Sequence, residues 1–328
     1  KIDMPVMALA WGVLLAGFLQ LLFQIAPLAT IKKIPVPTID FQNSGVKKFF
    51  ILILPAIVAG GIAQINLLVD TIFASLLITG SPTWLYVSDR LIQFPMGIFA
   101  IAIGTVLLPS LSKAYAQKEI QAYAEQLEHA FKLVFFLAIP SLIGLALFAS
   151  PLLATIFQRG GFLWSDVQQA SLSLIGFSLG LPFFMAMKVL VPAFFSRQNT
   201  KTPMLVALLS LLINICLNYL LAFYFGLGHL GLAIASSISA IVSVIILSLI
   251  LRRDGLISFS GILSAFSFKV LIASIALISF LSIFNQYFDF ELLTQAQRLM
   301  HLVAAVIGSL VIYFGASFML GVRSADFK

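Results

Sequence analysis

Apolar residues fill this chain in runs of about 20 positions or more, the length a helix needs to cross a bilayer core, separated by shorter polar stretches. Nine such runs lie at approximately 5–28, 49–79, 84–110, 131–157, 171–195, 203–225, 230–251, 264–287 and 300–321. The pattern predicts an all-α polytopic membrane protein with about nine transmembrane helices. Several runs are too long for one straight crossing and must tilt, kink or begin in the interface. Pro55, Pro95, Pro109, Pro140, Pro182 and Pro192 lie in or near them. Membrane helices tolerate such prolines where neighbours or water satisfy the freed carbonyls, and broken helices line cavities in transporters.

Two of the polar stretches carry a pattern of their own. Residues 30–48, "TIKKIPVPTIDFQNSGVKK", mix lysine, proline and polar residues and read as a linker. Residues 112–131 contain no helix breaker and space Ile120, Tyr123, Ala124, Leu127 and Phe131 by three or four positions. That spacing predicts an amphipathic helix lying in the membrane interface. Gly60–Gly61, inside the second run, reads as a place of close helix packing.

Composition agrees with the membrane assignment. The chain of 328 residues is 61% hydrophobic and 9% charged, with a mean hydropathy of +1.10, which excludes an ordinary soluble domain. Its single cysteine, Cys216, excludes a disulfide within the chain. The net charge of +7 is explained by topology. With nine spans, one set of loops holds 14 of the 19 basic residues, the other holds Lys1, Arg90, Arg159 and Arg298, and Lys188 falls inside a span. The positive-inside rule then places the C-terminus in the cytoplasm, and no nucleic-acid partner is implied. An external start on Lys1, not Met, leads to the expectation that this is the C-terminal part of a longer protein.

No enzyme signature is found. His129, His229 and His301 are scattered, and neither a Cys/His cluster nor a Gly-rich nucleotide loop occurs. The external carboxylates Asp166, Asp289 and Glu291 have no basic cluster beside them in sequence. Chemistry is instead concentrated in polar residues within spans. Asn66 and Asp70 share one helix face, as do Asn214 and Asn218. Together they read either as a site for a coupling cation such as sodium or a proton, or as interhelical hydrogen-bonding glue. Lys188 either lines a cavity or snorkels toward the surface. Asp89–Arg90 is either an ion-paired brace or an anion contact set below the outer surface, with Pro95 and Gly97 allowing the helix to bend beyond it.

Three stretches carry a family resemblance: "SDRLIQFPMGIFAIAIGTVLLPSLS" (88–112), "LLATIFQRGGF" (152–162) and "VLVPAFFSRQNTKTPM" (189–204). With "AWGVLLAGFLQ" (10–20) and "GLAIASSIS" (231–239) they resemble, in order, signature segments of the MviN/MurJ family. These are bacterial lipid II flippases of the multidrug/oligosaccharidyl-lipid/polysaccharide exporter superfamily. The resemblance runs to about residue 255; the last two spans match by position and hydropathy. It implies two six-helix lobes around a central cavity, followed by two C-terminal helices. On that pattern residues 1–29 are the last helix of the first lobe and 30–48 a cytoplasmic linker. Residues 49–253 are the second six-helix lobe, residues 264–321 are the C-terminal pair, and the family's first five helices are missing.

The resemblance further implies a multi-pass protein of the bacterial inner membrane that moves lipid II outward by alternating access for cell-wall synthesis. Lipid II and membrane lipids are then its partners, with cell-wall synthesis proteins as further candidates, and no cofactor is called for. Arg90, with Asp89 and Lys188, becomes the expected contact for the substrate's pyrophosphate. Asp70, Asn66, Asn214 and Asn218 become the expected coupling site, weakened by an amide at Asn218 where a carboxylate would bind sodium better. Two rivals stand beside this reading: a related exporter, such as a drug/cation antiporter or another polyprenyl-sugar flippase, and a membrane enzyme acting on lipid-linked sugars.

Overall fold

The computed structural model describes residues 5–30, 44–257 and 265–323. Their regular structure is helical throughout, because a backbone in hydrocarbon must satisfy its own polar groups segment by segment. The helices are α1 (Pro5–Thr30), α2 (Ser44–Ser75), α3 (Ser81–Pro95), α4 (Ile101–Ala116), α5 (Ile120–Leu147) and α6 (Ala149–Phe157). They continue with α7 (Trp164–Ser196), α8 (Lys201–Asn218), α9 (Gly228–Arg253), α10 (Ala265–Tyr287) and α11 (Gln295–Met319). Two π-helical segments interrupt them, Met96–Ala100 between α3 and α4 and Tyr219–Tyr224 after α8. Among the described residues nine helices are long and apolar enough to cross a membrane, with Ser81–Ala116 counted as one.

The chain divides into two units, Lys1–Phe50 and Ile51–Lys328. In the first unit α1 is apolar apart from Gln20, Gln24 and Thr30, and Trp11, Leu15, Phe18 and Phe23 are all exposed. Most of the 30–48 linker lies outside the described residues.

In the second unit α7 is the central post. It places Gly176 and Gly180 four residues apart against Ala233 and Ser237 of α9. A Cβ added at Gly180 would stand 2.5 Å from Ser237 Oγ, and one at Gly176 would stand 2.9 Å from Ala233 Cβ. Ser237 Oγ donates to the Gly176 carbonyl at 2.8 Å. Small residues thus let two backbones approach where no hydrophobic force separates helix from lipid. The expectation for Gly60–Gly61 fails: among the described residues nothing lies within 4 Å of a Cβ at either position. A glycine pair marks only the absence of side chains, and the neighbouring helix has to be present to use it.

The expectation of a separate interfacial helix over 112–131 also fails. Helix α4 continues to Ala116, a turn carrying Lys118 at φ 60° follows, and α5 runs unbroken from Ile120 to Leu147. Tyr123 and Leu127 are fully buried, and Tyr123 Oη donates to the Ala193 carbonyl of α7 at 2.6 Å. Apart from Ile120, which is exposed, the stripe is the packed face of α5, a helix long and apolar enough to span. Its periodicity is the same whether the stripe meets lipid or protein, so the pattern alone did not separate the two.

A second core joins α10 and α11 to α5. Phe136 and Phe148 pack with Val270, Leu277 and Leu281 of α10 and with Tyr313 of α11, whose Oη donates to the Phe136 carbonyl at 2.7 Å. At the other end of α11, Arg298 Nη1 donates to Gln158 Oε1 at 2.6 Å and Gln295 Nε2 to the Thr155 carbonyl at 2.6 Å.

Candidate functional site

Two polar clusters reach one cavity of about 600 Å3 walled by α2, α3, the Met96–Ala100 segment, α7 and α9. The first is built from three helices. On α2, Asn66 lies one turn before Asp70 and its Nδ2 approaches Asp70 Oδ2 at 3.4 Å. From α8, Asn218 Nδ2 donates to Asp70 Oδ1 at 2.7 Å. From α9, Ser236 Oγ donates to Asp70 Oδ2 at 3.0 Å. Asn214 completes the cluster: its Nδ2 donates to Ser236 Oγ at 3.1 Å, and its Oδ1 accepts from Asn218 Nδ2 at 2.9 Å.

Asn214 and Asn218 are fully buried, and Asn218 Oδ1 has no donor among the described residues. A carboxylate beside an unsatisfied buried carbonyl oxygen leaves a surplus of acceptors, the arrangement that suits a proton or a hard cation. Local backbone geometry brings the three helices together. The π-helical turn begins directly after Asn218, and a Cβ on Gly231 of α9 would stand 2.7 Å from the Leu221 carbonyl carbon within that turn. Glycine at 231 therefore lets α9 come close enough for Ser236 to reach Asp70.

The second cluster belongs to α3. Asp89 and Arg90 do not pair with each other, since consecutive helical residues point about 100° apart. Instead Gln93, one turn on, donates from Nε2 to Asp89 Oδ2 at 2.5 Å and accepts from Arg90 Nη1 at 3.4 Å. The Arg90 guanidinium lies over the Tyr86 ring, 4.7 Å from its centre. Asp89, Arg90 and Lys188 of α7 all line the cavity, and Arg90 and Lys188 are both exposed there. Helix α4 packs tightly against the Lys188 backbone: a Cβ on Gly104 would stand 2.8 Å from the Lys188 carbonyl oxygen. The bend expected at Pro95 and Gly97 takes the form of the π-helical segment Met96–Ala100, and Met96 and Gly97 line the cavity.

The structure thus gathers all seven expected site residues around one region, with Asn214 and Asn218 behind its wall. It adds Ser236, Gln93 and Tyr86. Gln93 and Tyr86 could have been found at one-turn spacing from Asp89 and Arg90. Ser236 sits in a run of small residues that reads only as packing.

Two of the three carboxylates expected outside, Asp166 and Asp289, have structural partners. Asp166 accepts from Trp84 Nε1 at 2.9 Å and from the Leu163 amide at 2.8 Å, capping α7. Asp289 accepts from the Glu291 amide at 3.0 Å. His229 is held between Ser173 Oγ at 2.7 Å and Gln169 Oε1 at 2.9 Å.

Comparison with known proteins adds a family. The family model described as "Lipid II flippase MurJ" matches residues 1–298. A Haemophilus influenzae protein named "Probable lipid II flippase MurJ" is 37% identical over 98% of this chain and 64% of its own length. A Vibrio cholerae protein of the same name is 42% identical over 75% of this chain and 47% of its own length. The chain therefore spans about half to two thirds of the length of these curated relatives. A solved structure of "Lipid II flippase MurJ, inward closed conformation" aligns with TM-score 0.65 at 25% identity, covering 87% of this chain and 57% of that one. A MATE structure in the bent conformation aligns with TM-score 0.57 at 15% identity over 84% of this chain and 68% of its own, a likeness of fold alone.

Proposed function

Because the chain belongs to the lipid II flippase MurJ family, we propose that it serves to carry lipid II from the cytoplasmic to the outer leaflet of the bacterial inner membrane. The observation that carries this reading is the state of Arg90. Its neighbour Asp89 is occupied by Gln93, so the guanidinium keeps donors free on a cavity wall that Lys188 also lines. A pyrophosphate diester offers paired oxyanions that suit a guanidinium fork and a nearby ammonium. Moving such a head group unaided through hydrocarbon would strip its hydration at prohibitive cost, whereas a polar cavity replaces water contacts while the polyprenyl tail stays in lipid. Rocking of one six-helix lobe, residues 49–253, against another would turn the cavity outward. The chain acts as a transporter and not as an enzyme.

In this reading the basic loops and the C-terminus face the cytoplasm, and Asp70 with Asn66, Asn214 and Asn218 takes up the coupling cation, a proton or sodium. Asp70 and Arg90 line the same cavity, so charge bound at one is felt at the other. Cell-wall synthesis proteins would be the acceptors of the displayed lipid.

The test is outward display of lipid II in cells depleted of their own flippase and supplied with the gene encoding this chain. The wild type is expected to restore display, and Arg90→Ala is expected to reduce it at least tenfold, the loss of about one charge-assisted bidentate contact. Absence of display with the wild type would overturn the function. Full display with Arg90→Ala would overturn the arginine's role. Asp70→Asn is expected to remove the dependence of display on the coupling ion; an unchanged dependence would remove Asp70 from the coupling site.

A further inference from the structure

A second cavity, of about 790 Å3, lies at the opposite end of the second unit from the α7 N-terminus, between the end of α4, the turn into α5 and the end of α7. It takes no part in the site described above. Its wall contains Arg197, which closes α7, and Lys118, which sits in the α4–α5 turn. The surroundings are basic: residues 112–132, 196–203 and 251–255 hold seven Lys or Arg against four Asp or Glu.

Two features single this cavity out. Lys118 at φ 60° and Gln198 at φ 58° are the two non-glycine residues in the left-handed region among the described residues, and both line it. Such a backbone is disfavoured for a residue that carries a Cβ and persists where the surroundings hold it. The second feature is Arg197, whose side chain is 10% exposed. Its Nη1 donates to Asp254 Oδ2 at 2.7 Å and its Cζ lies over the Phe194 ring, 4.9 Å from the centre. Its Nε and Nη2 are closed to bulk water and have no acceptor among the described residues. These two N–H groups form the side edge of the guanidinium, the pair that grips two oxygens of one phosphate. A buried donor pair left without an acceptor is costly, and a small turn of the side chain on the Phe194 face would present it to an oxyanion in the cavity.

We propose that this cavity binds the head-group phosphate of an anionic phospholipid in the leaflet next to the basic helix ends. Arg197 takes the phosphate oxygens and Lys118 takes the surplus negative charge at the rim. Tyr115 and Ile120, 41% and 45% exposed beside it, offer an aromatic and an apolar surface to the glycerol and upper acyl chain. A soluble phosphate shares the anion chemistry but has no use for that apolar rim.

The experiment is native mass spectrometry of the purified chain in detergent, titrated with phosphatidylglycerol, with phosphatidylcholine, or with inorganic phosphate, alongside thermal unfolding. The wild type is expected to retain phosphatidylglycerol about fivefold better than phosphatidylcholine, the preference one favourable charge contact supports. Arg197→Gln should abolish that preference. Should that variant fail to fold, Lys118→Gly decides: it relieves the left-handed backbone, so unfolding should hold or rise while the preference falls two- to threefold. Lys132→Gln, which removes a charge paired with Glu128 outside the cavity, should leave the preference intact. Full preference in Lys118→Gly, or equal loss in Lys132→Gln, overturns the site. Displacement of phosphatidylglycerol by millimolar inorganic phosphate, with matching stabilisation, would overturn the lipid assignment in favour of a soluble anion.

Discussion

The two clusters on the cavity between α2, α3 and α7 hold their charges by opposite means. Asp70 is fixed by donors from two other helices, Asn218 lying 148 residues away and Ser236 lying 166 away. Arg90 is fixed by its own helix, through Tyr86 one turn before it and Gln93 three residues after it. The difference separates stability from ligand capture. A half-buried carboxylate is satisfied by the fold, and doing so ties α2, α8 and α9 together. An exposed guanidinium needs only a local rest and stays available to an incoming anion.

Substitutions can break this contrast, beginning with the largest effect. Asn218→Ala removes a 2.7 Å bond to a charged group, and should lower unfolding stability in detergent by about 1.5–3 kcal/mol. Equal loss in Arg90→Ala would erase the distinction, since that exposed site should stay within about 0.5 kcal/mol of wild type. Arg90→Lys keeps the charge but loses the planar fork, and should cut lipid II display roughly fivefold, a substitution that is not conservative at a bidentate site. Gln93→Ala frees Asp89 and should weaken display about threefold with little change in stability, through loss of a held orientation. The smallest effect is expected at Asn66→Ala. Its 3.4 Å contact with Asp70 is too long for a strong bond, so stability should move by less than about 0.5 kcal/mol.

Much of this site was legible from spacing within single helices. Asn66 with Asp70, and Asn214 with Asn218, each fall on one face by their four-residue separation, and a charge inside an apolar run drew notice to Asp89–Arg90. The same local logic misread two stretches. The 112–131 stripe faces α7 through Tyr123 and Leu127 instead of lying in the interface, and Gly60–Gly61 has no close neighbour among the described residues while Gly176 and Gly180 do. In each case the missing fact was the identity of the surface opposite.

What the amino-acid order determined by itself is the set of nine helices, among the described residues, long and apolar enough to span, and the bias of basic residues toward one set of loops. Both follow from terms that act segment by segment: backbone hydrogen bonds closed within a helix, and transfer of side chains between water and hydrocarbon. The family segments are likewise contiguous runs. Only the tertiary structure decided that Asp70 meets Asn218 and Ser236, that Gln93 separates Asp89 from Arg90 while both face one cavity with Lys188, and that Arg197 closes a second cavity. Those outcomes depend on how far each helix is rotated and shifted against its neighbours. In lipid, that register is set by the fit of small residues such as Gly176, Gly180 and Gly231 to surfaces many residues away, where hydropathy makes no distinction between a helix and the bilayer.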